Sequence, residues 1–376
     1  MPVWGRMTIA FLSTRSGLWG GEIHLLQLAS GLARRGHDVV CCVRPDGELA
    51  PRLRAAGLEV QPLPLVDWFE PFGTARLAHW LRRRRVAILH SHCPRDHYLS
   101  AVATLGSDTR NVGTRHQLRP IGCPALKRPF FRRFAAMIAV SEAVRAAFVA
   151  SGVMDPRRVV TIPNGIDDRR RLPRRDGLRR LAGLDADVPV IGYVGRLSRE
   201  KGIETLLEAA ARLRGPDGAA PWLFIVGREP DAGKGYTVRL AAMATRLGIG
   251  PTTRFFGWVE DAASASADFD VHVVPSQAEP FGLSTLEGMA HGHAVIATAS
   301  GGSPEILRHG VDGLLVPPGD PEALAAGLAR LLADPALRER LGARARQRVQ
   351  ESFSLRGMVE AVEAVYAGAR AGAAPA

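Results

Sequence analysis

Short apolar runs rich in β-branched residues alternate with segments of helical periodicity in two successive series along this chain, and this alternation constrains the fold most strongly. The first series opens with Ile9–Leu12, a helix after Gly21 and the run Val39–Val43. The second opens with Val188–Val194 and the helical segment Ile203–Leu213. Because alternation of strand and helix is typical of βαβ units, each series predicts an α/β arrangement with a parallel sheet.

The length of the chain supports two domains, since 376 residues exceed one ordinary domain. The segment 168–187 lacks a clean period and is rich in Arg, Pro, Gly and Asp, which is typical of a linker. We therefore expect an N-terminal domain over residues 1–172, a linker over 173–187 and a C-terminal domain over 188–352. The Ala/Gly/Pro-rich residues 368–376 are predicted to be disordered.

The composition excludes several classes of protein. No apolar run reaches the roughly eighteen residues of a membrane span, and the N-terminal residues do not resemble a signal peptide. Four cysteines without CxxC spacing indicate reduced thiols in a cytoplasmic protein. The net charge of +12 comes almost wholly from arginine, and no nucleic-acid-binding motif accompanies it. It reflects either codon composition or an anionic partner, such as a phosphorylated ligand or the inner face of the cell membrane.

One strand-to-helix turn carries a distinctive group of polar residues. The buried run Val271–Val274 ends in a turn that contains Glu279, and a helix with Glu287 inside it follows. The amides of Phe281–Leu283 open that helix, so they are available to an anion. Carboxylates accept hydrogen bonds from sugar or ribose hydroxyls, although acidic residues near a helix N-terminus also stabilise it by about 0.3–1 kcal/mol without any ligand. The pattern predicts a site for a phosphorylated sugar at this turn.

Two further turns of the second series are suited to the same kind of ligand. The turn after Val188–Val194 contains Gly195, Arg196 and Lys201, and arginine and lysine both bind phosphate well. Solvated surface charges are the alternative interpretation. The run Leu223–Val226 ends in Gly227, which we interpret as another ligand-facing turn.

The first series places glycines and histidines at the ends of its predicted strands. Gly20 and Gly21 precede the first helix, where they permit close approach of a ligand, but they do not satisfy the G-x-G-x-x-G fingerprint of NAD binding. His90 and His92 follow one apolar run, and His116 follows the next. Such histidines are either hydrogen-bonded core residues or, because the ends of neighbouring parallel strands lie together, part of a ligand cleft.

In combination, these motifs resemble the large retaining glycosyltransferase family 4. The resemblance rests on Glu279 and Glu287 in an E-x7-E arrangement, on the upstream Arg196/Lys201 turn and on the Gly-Gly turn, and it covers nearly the whole chain. It implies the GT-B fold, with two Rossmann-like, doubly wound parallel-sheet domains facing across a cleft. It also implies that a C-terminal helix, residues 353–367, packs back on the first domain.

The resemblance further implies a metal-independent hexosyl-type transferase (EC 2.4) that moves a sugar from a nucleotide-diphosphate donor with retention of configuration. It assigns catalytic roles to His116, Glu279, Arg196 and Lys201. It assigns donor binding to the following residues: Gly20, Gly21, Gly195, Arg196, Lys201, Gly227, Glu279, Phe281, Gly282, Leu283 and Glu287. No cofactor and no bound metal are expected, and the acceptor is expected to be a glycolipid, a lipid-linked saccharide or an envelope polysaccharide intermediate, as in lipopolysaccharide biosynthesis.

Several alternatives remain open from the sequence. The same fold serves nucleotide-sugar epimerases and non-catalytic sugar-nucleotide-binding modules. Asp268-Phe-Asp270 has the D-x-D pattern of metal-dependent transferases, but it opens a strand here, and no other cluster shows metal-ligand spacing. The segment 127–134 is basic and aromatic. It is predicted either as a helix that buries Phe130 and Phe134 or as a contact with anionic lipid.

Overall fold

The structure is a computed structural model that describes residues 5–63, 71–167, 177–185, 187–213, 220–230, 235–259 and 265–372. The contacts within the chain divide it into two compact units, of which unit 1 comprises Met1–Gly165 and Leu355–Ala376 and unit 2 comprises Ile166–Ser354. Part of the predicted linker, residues 173–176 and 186, lies outside the described residues. The described remainder contains a short helix that belongs to unit 2.

Unit 1 is built on a seven-stranded sheet in the order β3-β2-β1-β4-β5-β6-β7, and all of its strand pairs are parallel. The strands are β1 (Thr8–Ser13), β2 (Asp38–Val43), β3 (Glu59–Pro62), β4 (Ile88–Ser91), β5 (Arg110–Arg115), β6 (Phe134–Ala139) and β7 (Val159–Thr161). The helices are α1 (Gly20–Arg34), α2 (Leu49–Ala55), α3 (Pro71–Arg83), α4 (Pro94–Ala103), α5 (Pro124–Phe131), α6 (Glu142–Ala150) and, from the end of the chain, α14 (Leu355–Ala371). The central strands are buried, which explains their continuous apolar runs.

Unit 2 is built on a six-stranded parallel sheet in the order β10-β9-β8-β11-β12-β13. Its strands are β8 (Val190–Val194), β9 (Trp222–Val226), β10 (Thr253–Gly257), β11 (Val271–Val274), β12 (Ala294–Thr298) and β13 (Leu314–Val316). Its helices are α7 (Gly177–Ala182), α8 (Ile203–Arg212), α9 (Tyr236–Arg246), α10 (Leu283–His291), α11 (Ser303–Ile306), α12 (Pro321–Ala333) and α13 (Pro335–Ser352). Both units are therefore doubly wound α/β folds, as the sequence predicts.

The last helix, α14, packs against α1 within unit 1. The carboxylate of Glu363, which is 1% exposed, accepts hydrogen bonds from Arg35 Nε at 2.7 Å and contacts His37 Nε2 at 2.9 Å. Gly31 of α1 lies so close that a Cβ there would be 2.5 Å from the Val359 side chain. The helix extends to Ala371, beyond the predicted end at residue 367, because Ala369 is buried in the core of unit 1 and keeps this turn ordered. The predicted disorder of residues 368–371 is therefore corrected, and residues 373–376 lie outside the described part.

The segment 127–134 differs from its prediction as a single helix. Helix α5 ends at Phe131, and Phe134 opens strand β6. Phe131 and Phe134 are the buried pair, while Phe130 is only half-buried. The sequence spacing of four was misleading because a turn separates the two aromatic residues that reach the core.

The Asp268-Phe-Asp270 pattern has a structural role in unit 2. Asp268 Oδ2 accepts a hydrogen bond from the amide of Leu178 at 2.6 Å, and Asp270 Oδ2 accepts from Arg179 Nη2 at 2.5 Å. Since the Arg179 side chain is fully buried, these bonds anchor α7 beside β8.

No helix in the described ranges has the length and apolar character needed to cross a membrane.

Candidate functional site

The strand order reverses at one point in each sheet, between β1 and β4 in unit 1 and between β8 and β11 in unit 2. In open parallel sheets, ligands bind outside the carboxyl ends of the strands at such a switch point. The predicted site residues follow the strands at or next to these two positions, so each unit presents its own group of residues.

In unit 2, the turns after β8 and β11 are held together by their backbones. The amide of Gln277 donates to the carbonyl of Glu200 at 2.8 Å. Gly202 has a φ of +66° and lies against Pro275, so that a Cβ there would overlap the Pro275 carbonyl oxygen. These contacts fix the position of Lys201 relative to the turn that carries Glu279.

Lys201 and Glu279 form an ion pair at the centre of this site. Lys201 Nζ lies 2.7 Å from Glu279 Oε2, and the same oxygen accepts a hydrogen bond from Ser276 Oγ at 2.8 Å. Glu279 is 7% exposed, and Ser276 is fully buried. Since an ammonium has three donors, Lys201 can hold Glu279 and still donate to a second anionic group. The structure thus brings together two residues that are 78 positions apart in sequence.

The N-terminus of α10 directly follows Glu279. Gly282 precedes the helix with a φ of +115°, a conformation that favours glycine. Within the described part of the chain, the amides of Phe281, Gly282 and Leu283 have no hydrogen-bond acceptor. The positive end of the helix dipole and these free donors are suited to an anion.

The other predicted residues of unit 2 lie in the same turns. Arg196 forms an ion pair with Glu200 in its own turn and is partly exposed. Glu287 lies one turn into α10 and is half-buried. Arg196, in the turn after β8, and Glu287, in α10, both follow strands at the switch point, and their ligand contacts stay predictions.

The glycines Gly195 and Gly227, predicted as donor contacts, also have a packing role. A Cβ on Gly227, which has a φ of +140°, would overlap the carbonyl oxygen of Gly195. The amide of Gly195 donates to Val226 at 3.0 Å, and that of Gly227 donates to Gly257 at 2.8 Å. The ends of β8 and β9 can approach this closely only because Gly227 lacks a side chain, whereas a Cβ on Gly195 would meet the hydroxyl of Tyr193.

In unit 1, histidines gather at the switch point. His116 follows β5, His92 follows β4, and His24 comes from the first turns of α1. His92 Nδ1 lies 3.3 Å from His116 Nε2. Gly21, at the start of α1, lies against the ring of His116, with 3.7 Å between its expected Cβ position and His116 Cδ2. The predicted Gly20–Gly21 turn and His116 are therefore neighbours.

Burial determines the charge of these histidines. It lowers the pKa of His24 to about 4, and it lowers the pKa of His92 and His116 well below the usual value. All three rings are therefore neutral at pH 7. His90, by contrast, has a structural role, because its two nitrogens lie 2.5 Å from Tyr366 Oη and 2.7 Å from Thr114 Oγ1.

Sequence reasoning missed several residues of these sites. Ser276 and His24 were not predicted, and neither was Asp96, whose Oδ1 lies 2.5 Å from Thr14 Oγ1 and whose pKa burial raises to about 6. Ser276 lies three residues before Glu279, so its position in the turn was the one available signal. His24 and Asp96 lie inside helices, and only the tertiary structure brings them to the switch point.

Comparison with known proteins finds two family models. The model described as "Glycosyltransferase Family 4" matches residues 19–170, and the model described as "Glycosyl transferases group 1" matches residues 175–348. The two matches are adjacent and together span most of the chain.

Similar curated proteins match over most of their length. The D-inositol 3-phosphate glycosyltransferase of Actinosynnema mirum is 30% identical over 93% of this chain and 92% of its own. The lipopolysaccharide core biosynthesis glycosyltransferase LpsE of Rhizobium meliloti is 29% identical over 91% and 94%. The phosphatidyl-myo-inositol mannosyltransferase of Mycobacterium tuberculosis is 31% identical over 79% of each chain.

Among solved structures, Anabaena HepE in complex with UDP and glucose superposes with a TM-score of 0.84. The sequences are 23% identical, and the alignment covers 95% of this chain and 98% of HepE. A glycosyltransferase from Rickettsia africae has the same TM-score at 22% identity. These similarities show that the fold is that of the GT-B glycosyltransferases.

Proposed function

Because this chain belongs to glycosyltransferase family 4, we propose that it transfers a hexosyl-type sugar from a nucleotide-diphosphate donor to a saccharide acceptor with retention of configuration. The observation that carries the proposal is the arrangement in unit 2. Glu279 is fixed by Lys201 and Ser276 and directly precedes the free amides of α10. In the proposed reaction, Glu279 accepts hydrogen bonds from sugar hydroxyls, and the neighbouring amides donate to the diphosphate.

The leaving diphosphate is the group that most needs stabilisation, because it gains negative charge as the glycosidic bond breaks. The amides of Phe281–Leu283 donate to it, and Arg196 and Lys201 supply positive charge. Preorganised donors of this kind are commonly the largest contribution to catalysis. Since two cations and a helix N-terminus meet the same need as a metal ion would, we propose that the reaction is metal-independent.

Three side chains would orient the rest of the donor. Glu279 accepts hydrogen bonds from sugar hydroxyls, and its fixed position restricts the sugar to one orientation. Glu287 accepts from the ribose. His116 of unit 1, neutral at pH 7 because of burial, can donate or accept one hydrogen bond at the transferred sugar.

We propose a glycolipid or lipid-linked saccharide as acceptor. The names of LpsE and of the phosphatidyl-myo-inositol mannosyltransferase support this class. Helix α5 supports a peripheral contact with an anionic membrane, since Leu126 is 76% exposed beside basic residues. Arg128, Arg132 and Arg158 line a cavity of about 550 Å³ next to it. Flotation with anionic vesicles should depend on these arginines, and flotation unchanged by their charge reversal would contradict the contact.

The donor proposal is tested by replacing Lys201 with alanine. Loss of charge-assisted bonding to the leaving group should raise the activation free energy by ~2–4 kcal/mol. This corresponds to a decrease in kcat/KM of roughly 30-fold to 1,000-fold. The matched control is Arg199→Ala, which removes an exposed cation from the same turn and should leave kcat/KM within about threefold. Equal effects of the two variants would remove Lys201 from the site.

Product analysis completes the test. NMR of the glycosylated acceptor should show the anomeric configuration of the donor, and EDTA should leave the rate unchanged. Nucleotide release without a glycosylated product would instead indicate an epimerase-like reaction. No stabilisation by any nucleotide sugar in a thermal-shift panel would indicate a chain that does not bind the donor.

A further inference from the structure

We propose that His24, His92 and His116 form a binding site for a divalent transition-metal ion, with Zn²⁺ as the best match. Each histidine offers one ring nitrogen, and these three nitrogens lie within 4.8 Å of one another. Within the described residues, this is the group of potential metal ligands that lies so close together. The three residues come from α1, from the end of β4 and from the end of β5, so the site belongs entirely to unit 1.

The geometry is close to that of a tetrahedral three-histidine site. The ring centroids form a triangle with sides of 5.3 Å for His24–His92, 5.0 Å for His24–His116 and 5.6 Å for His92–His116. A zinc ion with Zn–N bonds of about 2.0–2.1 Å holds two tetrahedral nitrogens about 3.3 Å apart. The nitrogens of His92 and His116 are 3.3 Å apart, which matches this spacing, and the His24 nitrogen lies within 4.8 Å of both.

An unsatisfied nitrogen provides an independent observation. His24 Nδ1 is fully buried and has no hydrogen-bond partner in the described part of the chain. Leaving such a group unpaired costs about 1–3 kcal/mol, so it requires an explanation. The neighbouring His90 is different, because both of its nitrogens contact hydroxyl groups and its position is explained by packing alone.

The chemistry of the cluster favours a borderline metal. Imidazole nitrogen suits Zn²⁺, Cu²⁺ and Ni²⁺, whereas Mg²⁺ and Ca²⁺ prefer oxygen ligands. A ligand histidine binds the metal through the lone pair of a neutral ring nitrogen, so binding should weaken as the pH falls. Three protein ligands leave a fourth position for water, as in other zinc sites with three protein ligands.

Occupancy of this site would affect His116, and this consequence depends on the proposed function. A ring nitrogen that binds the ion is no longer available to the transferred sugar. Bound Zn²⁺ would therefore inhibit glycosyl transfer although the reaction itself needs no metal.

Metal binding is measured first and without any activity assay. Isothermal titration of the metal-free full chain with ZnCl₂ should give one site per chain, and Co²⁺ bound there should show the visible absorption of tetrahedral coordination. His24→Gln and His92→Asn remove ligands from different elements, so one remains informative if the other fails to fold. Each should weaken binding by at least about 100-fold.

The control for adventitious binding is His79→Gln, since His79 is an exposed histidine of α3. It should bind Zn²⁺ as the wild type does. Wild-type affinity no tighter than that of His24→Gln would overturn the site. The activity measurement then compares, for each variant, the rate of transfer with and without Zn²⁺. Inhibition of the wild type that is lost in His24→Gln supports inhibition through this site. Equal inhibition of both overturns it.

Discussion

The two units of this protein have the same topology at their switch points and different chemistry there. Unit 2 presents a Lys201–Glu279 ion pair and free backbone amides, held by backbones in close contact. Unit 1 presents three neutral histidines from three segments, of which His24 and His92 are buried and His116 is half-buried. The shared topology explains why both sets of residues lie at carboxyl ends of strands. The chemistry of each site comes from the residues in its turns and not from the fold.

The difference also concerns what holds each site in place. In unit 2, glycines at the turns leave room for the carbonyl group of a neighbouring turn. In unit 1, the contacts of the site are those between histidine side chains. Substitution of a glycine in the site should therefore lower the free energy of unfolding more in unit 2. A fall in pH should lower it more in unit 1. The following predictions test this comparison.

The largest effect is expected from Gly227→Ala. Its Cβ would overlap the carbonyl oxygen of Gly195, and its φ of +140° is unfavourable for alanine. We expect a loss of at least ~4 kcal/mol in the free energy of unfolding of unit 2, measured by urea denaturation. The matched change in unit 1 is Gly21→Ala, where the nearest atom is 3.7 Å away and the residue lies in a helix, so its cost should stay below about 1 kcal/mol. Similar losses in both variants would show that the two sites do not differ in this way.

A smaller effect is expected from Glu363→Ala in α14. The change leaves the buried His37 without its carboxylate partner, whereas Arg35 keeps its ion pair with Glu360. Breaking a buried pair costs about 3–5 kcal/mol, and we expect the lower end of that range, ~3 kcal/mol. Hydrogen exchange should show the loss in unit 1 alone. Glu360→Ala, in the same helix but more exposed, should cost less than about 1 kcal/mol. Exchange that increases equally in unit 2 would mean that the two units do not unfold separately.

The smallest effect is a difference in acid sensitivity. A histidine whose pKa is lowered in the folded state stabilises the protein above its unfolded pKa of about 6.5, and this stability is lost as the pH falls below that value. Burial lowers the pKa of His97 to about 3 in unit 1 and that of His272 to about 3 in unit 2. Each of these histidines should therefore lower the free energy of unfolding by ~2 kcal/mol when the pH falls from 7 to 5. Unit 1 contains four more histidines whose pKa is lowered in this way: His24, His90, His92 and His116.

Asp96 opposes this trend in unit 1. Its pKa is raised to about 6, so the free-energy penalty on the folded state grows as the pH rises from the unfolded value of about 3.9 to about 6, and ~1 kcal/mol of it is recovered between pH 7 and pH 5. The histidines outweigh it, and unit 1 should lose stability more steeply than unit 2. The measurement is urea unfolding in EDTA at both pH values, with hydrogen-exchange labelling at one fixed pH to separate the units. His272→Gln should flatten the slope of unit 2, and a steeper slope in unit 2 than in unit 1 would contradict the comparison.

Much of the fold was accessible from local patterns. The run Val271–Val274 coincides with β11. Helix α10 begins at Leu283, as the sequence predicts. Errors occurred where packing overrides periodicity, as at Phe134, or where a terminal helix is extended by contacts with distant residues, as at Ala369.

The sequence by itself determined the alternation of strand and helix, the two doubly wound units and the turns that carry Glu279, Lys201 and His116, because apolar periodicity and turn chemistry are local properties. Only the tertiary structure decided that Lys201 pairs with Glu279, that Gly227 contacts Gly195 and that His24 joins the other two histidines. These contacts join residues far apart in the chain, and their distances follow from strand order and close packing, which a one-dimensional pattern does not contain.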